Sequence, residues 1–246
     1  AWIQPGDNAE IGGFIIRGRE AKKIAVRAIG PSLAGFKVSG VMPDPVLELR
    51  DPSDLVAAND NWNSHRSAII ETHLAPNDEH EAVIVTSLAP GSYTGIVRGV
   101  NGAGGIGLFE LYDLEPSNSR VANISTRARI EWGDKVLVGG FILGGAEPTK
   151  VVIRGIGPSL ANFGVSGAIN NPVLELHDAN GGLLSQNDDW RSSQQQELLQ
   201  SGLAPADDRE SAMLMLLDPG AYTAIVRDKN NDAGIGLVEV YNLDAN

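Results

Sequence analysis

Cysteine is absent from all 246 residues, so neither a disulfide nor a thiolate metal site can hold this fold. Aromatic residues supply only 5% of the chain, which leaves the core mainly to aliphatic side chains. Histidine occurs four times, and His65, His73, His80 and His177 show neither metal-ligand nor triad spacing. No apolar run approaches the roughly 20 residues that span a bilayer, so membrane insertion is not expected. The chain opens at Ala1 inside what reads as a strand, with no signal-peptide pattern in the residues given, and a processed or truncated form is the expectation. Basic residues are scarce, 19 Lys and Arg against 31 Asp and Glu, for a formal charge of −12. That balance argues against nucleic acid as a partner, because a phosphate backbone needs a basic face. It suits solubility, cation binding or a basic partner.

What is present is present twice. Ile29-Gly30-Pro31-Ser32-Leu33-Ala34 returns as Ile156-Gly157-Pro158-Ser159-Leu160-Ala161, and Pro45-Val46-Leu47-Glu48-Leu49 as Pro172-Val173-Leu174-Glu175-Leu176. Asn59-Asp60-Asn61-Trp62 returns as Asn187-Asp188-Asp189-Trp190, Pro90-Gly91 with Tyr93-Thr94 as Pro219-Gly220 with Tyr222-Thr223, and Gly105-Ile106-Gly107-Leu108 as Gly234-Ile235-Gly236-Leu237. A duplicated unit points to repetition of a structural or binding module more than to one composite active site.

Short Val-, Ile- and Leu-rich runs between Gly, Pro, Asn and Asp clusters predict an all-β chain. Strands are expected in the first copy near Ile11–Arg17, Lys23–Ile29, Val46–Asp51, Leu55–Ala58, Ala82–Leu88, Ser92–Gly99 and Ile106–Leu114. Leu47 and Leu49 oppose Glu48, the period-2 signature of a half-buried strand. The segments Asn63–Leu74 and Arg191–Leu203 instead carry helix-like spacing. The expected fold class is therefore two tandem β-sandwich, jelly-roll-like domains, each with one short helical segment, spanning 1–116 and 117–246 with a linker at Glu115–Arg120. The copies begin unequally. Ala1 aligns with Ala128, so the first copy lacks a counterpart of Val121–Arg127, and an absent edge strand leaves unpaired backbone. The strand Val121–Ile130, with Val121, Asn123, Ile124, Thr126, Ala128 and Ile130, is thus the candidate assembly strand, since strand addition between subunits builds polymers.

Three further residue sets invite chemistry. Asn59, Asp60 and Asn61, with Asp51 upstream, and Asn187, Asp188 and Asp189, with Asp178 and Asn180, gather oxygen ligands of the kind calcium takes. The competing reading is that Asn and Asp shape turns and cap the following helix. Trp62 and Trp190 follow these loops, where an indole either stacks on a ligand or anchors the loop in the core. Arg27, Glu48, Arg98 and Glu110 match Arg154, Glu175, Arg227 and Glu239, as cross-strand pairs on one sheet face or as solvated decoration. The Gly-rich stretch Val100–Gly105 joins two strands rather than opening a helix, so a phosphate loop is rejected. Ser32 and Ser159 sit in Gly-Pro-Ser, not in a nucleophile elbow. No enzyme is expected.

The stretches Pro45–Asp51, Asn59–Trp62 and Pro90–Val97, with their second-copy equivalents Pro172–Asp178, Asn187–Trp190 and Pro219–Val226, resemble the pre-peptidase C-terminal β-sandwich family, related to the collagen-binding domains of secreted bacterial proteases. The resemblance covers about the last two-thirds of each copy; Gly12-Gly13-Phe14 and the Ile-Gly-Pro-Ser-Leu motif lie outside it. It implies a non-catalytic, extracellular accessory module, in some members calcium-dependent. The expected role is a secreted structural protein, a repeat subunit of a fibre, scaffold or surface layer at the cell surface, with other copies of itself as partners and no required cofactor. The alternative is a monomeric calcium-dependent adhesion module that binds an extracellular glycan or protein.

Overall fold

The computed structural model describes residues 1–4, 8–114, 119–133 and 135–245. The chain divides into two compact units, Ala1–Ala122 and Asn123–Asn246. The boundary expected at 116/117, and most of the expected linker, lie outside the described residues; the division falls six residues later.

In the first unit β1 (Trp2–Ile3), β2 (Glu10–Arg17), β3 (Lys22–Ile29), β4 (Pro45–Arg50) and β5 (Leu55–Asn59) precede a short helix, α1 (Arg66–Glu71). Then come β6 (Ala82–Leu88), β7 (Gly91–Gly99), β8 (Gly105–Ile106) and β9 (Leu108–Asp113). Antiparallel ladders join β2-β7-β4-β5 into one sheet and β6-β3-β9 into the other. The stub β1 pairs with β8.

The second unit repeats this plan, as the duplication requires. It comprises β10 (Arg120–Ile130, its pairing with β17 starting at Asn123), β11 (Leu137–Leu143), β12 (Thr149–Ile156), β13 (Pro172–Asp178), β14 (Leu183–Asn187), α2 (Gln195–Ser201), β15 (Ser211–Leu217), β16 (Gly220–Asp228) and β17 (Gly234–Asn242). Its sheets run β11-β16-β13-β14 and β15-β12-β17-β10. Each unit is thus an all-β sandwich with one short helical segment.

The sequence pattern explains the layers. In β4, Pro45, Leu47 and Leu49 are buried while Val46, Glu48 and Arg50 alternate outward. β12 breaks alternation because Val151, Val152 and Ile153 are all buried: one face meets the sandwich interior, and Val152 on the other packs with Trp190, Leu198 of α2 and Ala212. A sheet covered on both faces reads as a continuous apolar run. Trp62, Ile69 and Val83 make the same cluster in the first unit.

Helical turns depart from expectation in length. The stretch expected at Asn63–Leu74 is a 3-10 turn, Trp62–His65, followed by α1, and the second is Trp190–Ser192 followed by α2. A left-handed Gly202, φ 72°, ends α2. The repeated Ile-Gly-Pro-Ser-Leu-Ala motif opens a further 3-10 helix, Pro31–Phe36 and Pro158–Phe163, which strand periodicity could not reveal. Gly30 is required there by close approach, since a Cβ would fall 2.2 Å from the Met42 carbonyl oxygen.

Candidate functional site: an open strand edge in the first unit

The Asn/Asp loops are turn scaffolding. Asp51 Oδ1 accepts the backbone N–H groups of Ser53 and Asp54 at 2.7 Å each, which holds its carboxyl below the ordinary range. Asp178 Oδ1 does the same for Asn180 and Gly182 at 2.8 Å. Both lie at the hairpin turn, whereas Asn59 and Asn187 end the strand that follows, β5 or β14. Four residue steps along an extended strand are about 13 Å. The nine residues expected to gather around calcium therefore fall at two separated places in each unit.

The asparagines are committed as well. Asn59 Oδ1 accepts Val83 N–H at 3.0 Å, and its amide donates to Asn61 O and Ser64 Oγ. Asn187 repeats this with Ala212 N–H, Asp189 O and Ser192 Oγ. Asp188 pairs with Lys229 at 2.5 Å, and Asp60 is exposed. Among the described residues no group of three or more His, Asp and Glu side chains is placed to hold a metal ion.

Trp62 and Trp190 are core residues, 6% and 1% exposed. Their indole N–H groups donate to Asp78 O at 3.0 Å and Asp207 O at 3.1 Å. Arg66 and Arg191 lie over the rings, 5.1 and 4.3 Å from the centroids. The expectation that these indoles stack on a ligand is corrected: each clamps its helical segment to the sheet, with no broad face left open.

The repeated charges do form pairs, but on two sheets rather than one face. Arg27 donates to Glu110 Oε2 (2.8 Å from Nε), to Leu74 O and to Tyr112 OH, and Arg154, Glu239, Leu203 O and Tyr241 repeat the cluster. Burial, then the adjacent Glu239 carboxylate, push Tyr241 up to about 12, so its hydroxyl stays a donor to Glu239 Oε1. On the other sheet Arg98 meets Glu48 at 3.7 Å and Arg227 meets Glu175 at 2.7 Å. Glu81 and Glu210, both fully buried, fasten the Gly-Pro-Ser motifs: Glu81 accepts Gly30 N–H, Ser32 N–H and Ser32 Oγ, and Glu210 accepts the same three groups of Gly157 and Ser159.

The copies part company at one sheet edge. In the second unit β10 pairs along the length of β17, from Asn123 opposite Tyr241 to Ile130 opposite Gly234. Ala128 and Ile130 are buried, and Asn123 donates its side-chain amide to Val240 O at 3.1 Å. The candidate assembly strand is therefore an integral strand of its own unit, not a free donor; it packs there because its alternation matches β17.

In the first unit the equivalent ladder is only Trp2 opposite Ile106 and Ile3 opposite Gly105, with Ala1 exchanging hydrogen bonds with Gly107. The final strand, expected to run unbroken over Ile106–Leu114, splits into β8 and β9 at Gly107. Beyond it, among the described residues, β9 pairs with β3 alone. Leu108 is 38% exposed, and Phe109 and Leu111 are half-buried, where Val238 and Val240 of β17 are 2% and 7% exposed.

Glu10 stands at this gap, and sequence reading missed it. It aligns with the fully buried Leu137, yet is itself 2% exposed, and its Oε2 has no hydrogen-bond partner. Burial raises its carboxyl above the ordinary range, against the pull of the Ala1 ammonium and of a hydrogen bond from Phe109 N–H. The signal was a Leu-to-Glu change between copies at a core position. Also missed were Phe36 and Phe163, 79% and 82% exposed at equivalent positions. Phe36 lines an open cleft of about 400 Å³ with Leu33, Pro76, Leu108 and Glu110.

The fold defines a tandem antiparallel β-sandwich protein. No protein-family model and no curated protein matches the sequence. Solved structures that resemble it include the STIV MCP (12% identity, 98% of this chain and 93% of that chain, TM-score 0.24) and PNGF-II (8% identity, 98% and 61%, TM-score 0.28). A third is the atomic structure of Sulfolobus Turreted Icosahedral Virus (11% identity, 98% and 88%, TM-score 0.24). Likenesses this distant carry no argument about function.

Proposed function

We propose that the protein is a non-catalytic, extracellular structural subunit that joins copies of itself into a fibre, scaffold or surface layer through strand addition and sheet-face contacts. The observation that carries this reading is the duplication of one sandwich within the chain, since a repeated unit is characteristic of structural and modular proteins. The resemblance to secreted accessory modules supports it. Electron microscopy of the protein purified from its source without denaturant, in calcium and again in chelator, tests it. Ordered filaments or sheets are expected, and their loss in chelator would place calcium at contacts between copies. Dispersed particles in both conditions would remove the reading.

A second reading, a monomeric adhesion module for a glycan or protein, draws on Phe36 and Phe163, apolar side chains held in solvent at the same place in both copies. Under it, Phe36→Ala with Phe163→Ala abolishes retention of the ligand while thermal stability changes little. Retention unaffected by the double substitution would discard it.

A further inference from the structure

We infer that Gln194 is a plug on the outer edge of β15, and that the edge it closes pairs, once freed, with β15 of a second copy of this chain, antiparallel about a two-fold at Met215. The inference is separate from the assembly reading: it says where copies do not meet while the plug is seated.

The ladder with β12 sets which backbone groups are free. Arg154 stands opposite Ala212 and Val152 opposite Leu214, yet Ala212 N–H bonds the Asn187 side chain at 3.0 Å rather than β12. Bonding direction alternates along a strand. Ala212, Leu214 and Leu216 therefore turn their N–H and C=O outward, and β15 ends the order of its sheet on that side among the described residues. Gln194 closes the middle position with both ends of its amide. Its Oε1 accepts Leu214 N–H at 3.0 Å and its Nε2 donates to Leu214 O at 2.9 Å. In a hydrogen-bonded antiparallel pair the opposite residue exchanges both bonds in the same way, so this side chain takes the place of a strand's peptide group.

The fold does not require such a plug. In the first unit Asn59 takes Val83 N–H as Asn187 takes Ala212 N–H, but the turn that follows is one residue shorter, seven steps from Trp62 to Ile69 against eight from Trp190 to Leu198. His65, which precedes α1, meets Ser64 Oγ at 3.0 Å. Gln194, which precedes α2, has a left-handed backbone, φ 54° and ψ 25°, a conformation that a β-carbon disfavours. The edges differ in kind as well. β6 carries Val85-Thr86-Ser87 where β15 carries Leu214-Met215-Leu216, with Leu216 68% exposed. An apolar free edge is the more prone to pair with another chain, and it is the one that is plugged.

The occupant follows from the register. Asn187 is 6% exposed and its amide also donates to Asp189 O and Ser192 Oγ, so the Ala212 position stays filled and an incoming strand has Leu214 and Leu216 to bond. β15 matches itself there. With Met215 on the two-fold, Leu214 of each copy bonds Leu216 of the other in two reciprocal pairs. Every residue opposed from Met213 to Leu217 is apolar, so no charge is set against its like.

Gln194→Gly removes the amide and suits the left-handed backbone, which keeps the fold. Sedimentation of the full chain and residue-resolved amide hydrogen exchange read the result. Wild type is expected to protect Leu214 N–H and to leave Leu216 N–H fast at every concentration. The variant should lose Leu214 protection when dilute and dimerise at least about tenfold more tightly than wild type. Protection should then return at Leu214 and Leu216 together as concentration rises. Adding Leu216→Pro, which an edge strand tolerates, should restore single chains. A Gln194→Gly chain that stays single overturns the inference, as does a dimer in which Leu216 exchanges freely or one that Leu216→Pro leaves intact. Wild-type filaments with Leu216 protected overturn it too, whereas filaments with Leu216 fast fit the plug and place the assembly contacts elsewhere.

Discussion

Single residues separate structural from functional roles in this protein. Trp62 and Trp190 read in sequence as either ligand platforms or core anchors, and in the structure both are clamps between helix and sheet. Trp190→Ala is therefore expected to destabilise the second unit by about 3–5 kcal/mol, the usual cost of deleting a buried aromatic side chain. Denaturant unfolding measures it, and a loss near zero would return the indole to the surface. Glu10 makes a pH-dependent counterpart. Burial raises its carboxyl above the usual 4.5, so the folded state holds the proton more tightly than the unfolded chain does. Its contribution to stability is full below 4.5 and is lost as pH rises through the folded-state value. Glu10→Leu, which installs the residue of the second copy, should therefore stabilise the protein increasingly as pH is raised from 4.5 toward neutrality. A difference between Glu10→Leu and wild type that is flat with pH would show that Glu10 ionises without penalty.

Among the elements, β9 and β17 carry equivalent sequences in unequal surroundings. β17 is hydrogen-bonded on both edges by β12 and β10, whereas the strand partner of β9 among the described residues is β3 alone. Proline removes one N–H, and a strand tolerates it where that N–H faces an open edge. Leu111→Pro should consequently cost much less than Val240→Pro, whose N–H faces β10; the second is expected to lose about 3 kcal/mol or more. Unfolding midpoints of the two variants measure the contrast, and equal losses would mean that Leu111 N–H already has a partner. The repeated hairpin motif Pro-Gly-x-Tyr is also explained at this scale. Tyr93 and Tyr222 hydroxyls donate to Ala89 O and Asp218 O at 2.8 Å while their rings stack 5.5 Å from Phe14 and Phe141.

For the whole molecule, a charge of −12 sets the terms on which copies meet. Like-charged chains repel over roughly 30 Å at about 0.01 M salt and only about 8 Å at 0.15 M. If copies assemble, raising the salt between those concentrations should promote assembly, followed by light scattering and electron microscopy. Assembly that weakens with salt would point instead to contacts dominated by opposite charges, such as the Arg98–Glu48 surface of the first unit.

The sequence by itself determined the all-β class, the duplication, nearly every strand, and the unequal start of the two copies. Alternation at Leu47, Glu48 and Leu49 and turn chemistry at Pro90-Gly91 are local effects, written in neighbouring residues. Tertiary structure alone decided which polar residues were already engaged. Asp51 and Asn59 are separated because they end opposite sides of one strand, and Glu81 reaches Gly30 and Ser32 across about fifty residues of chain. It also decided that Asn123–Ile130 is an integral strand paired along β17. Hydrogen bonds between strands form through space, so an unpaired edge becomes visible only when every neighbour of the strand has been placed.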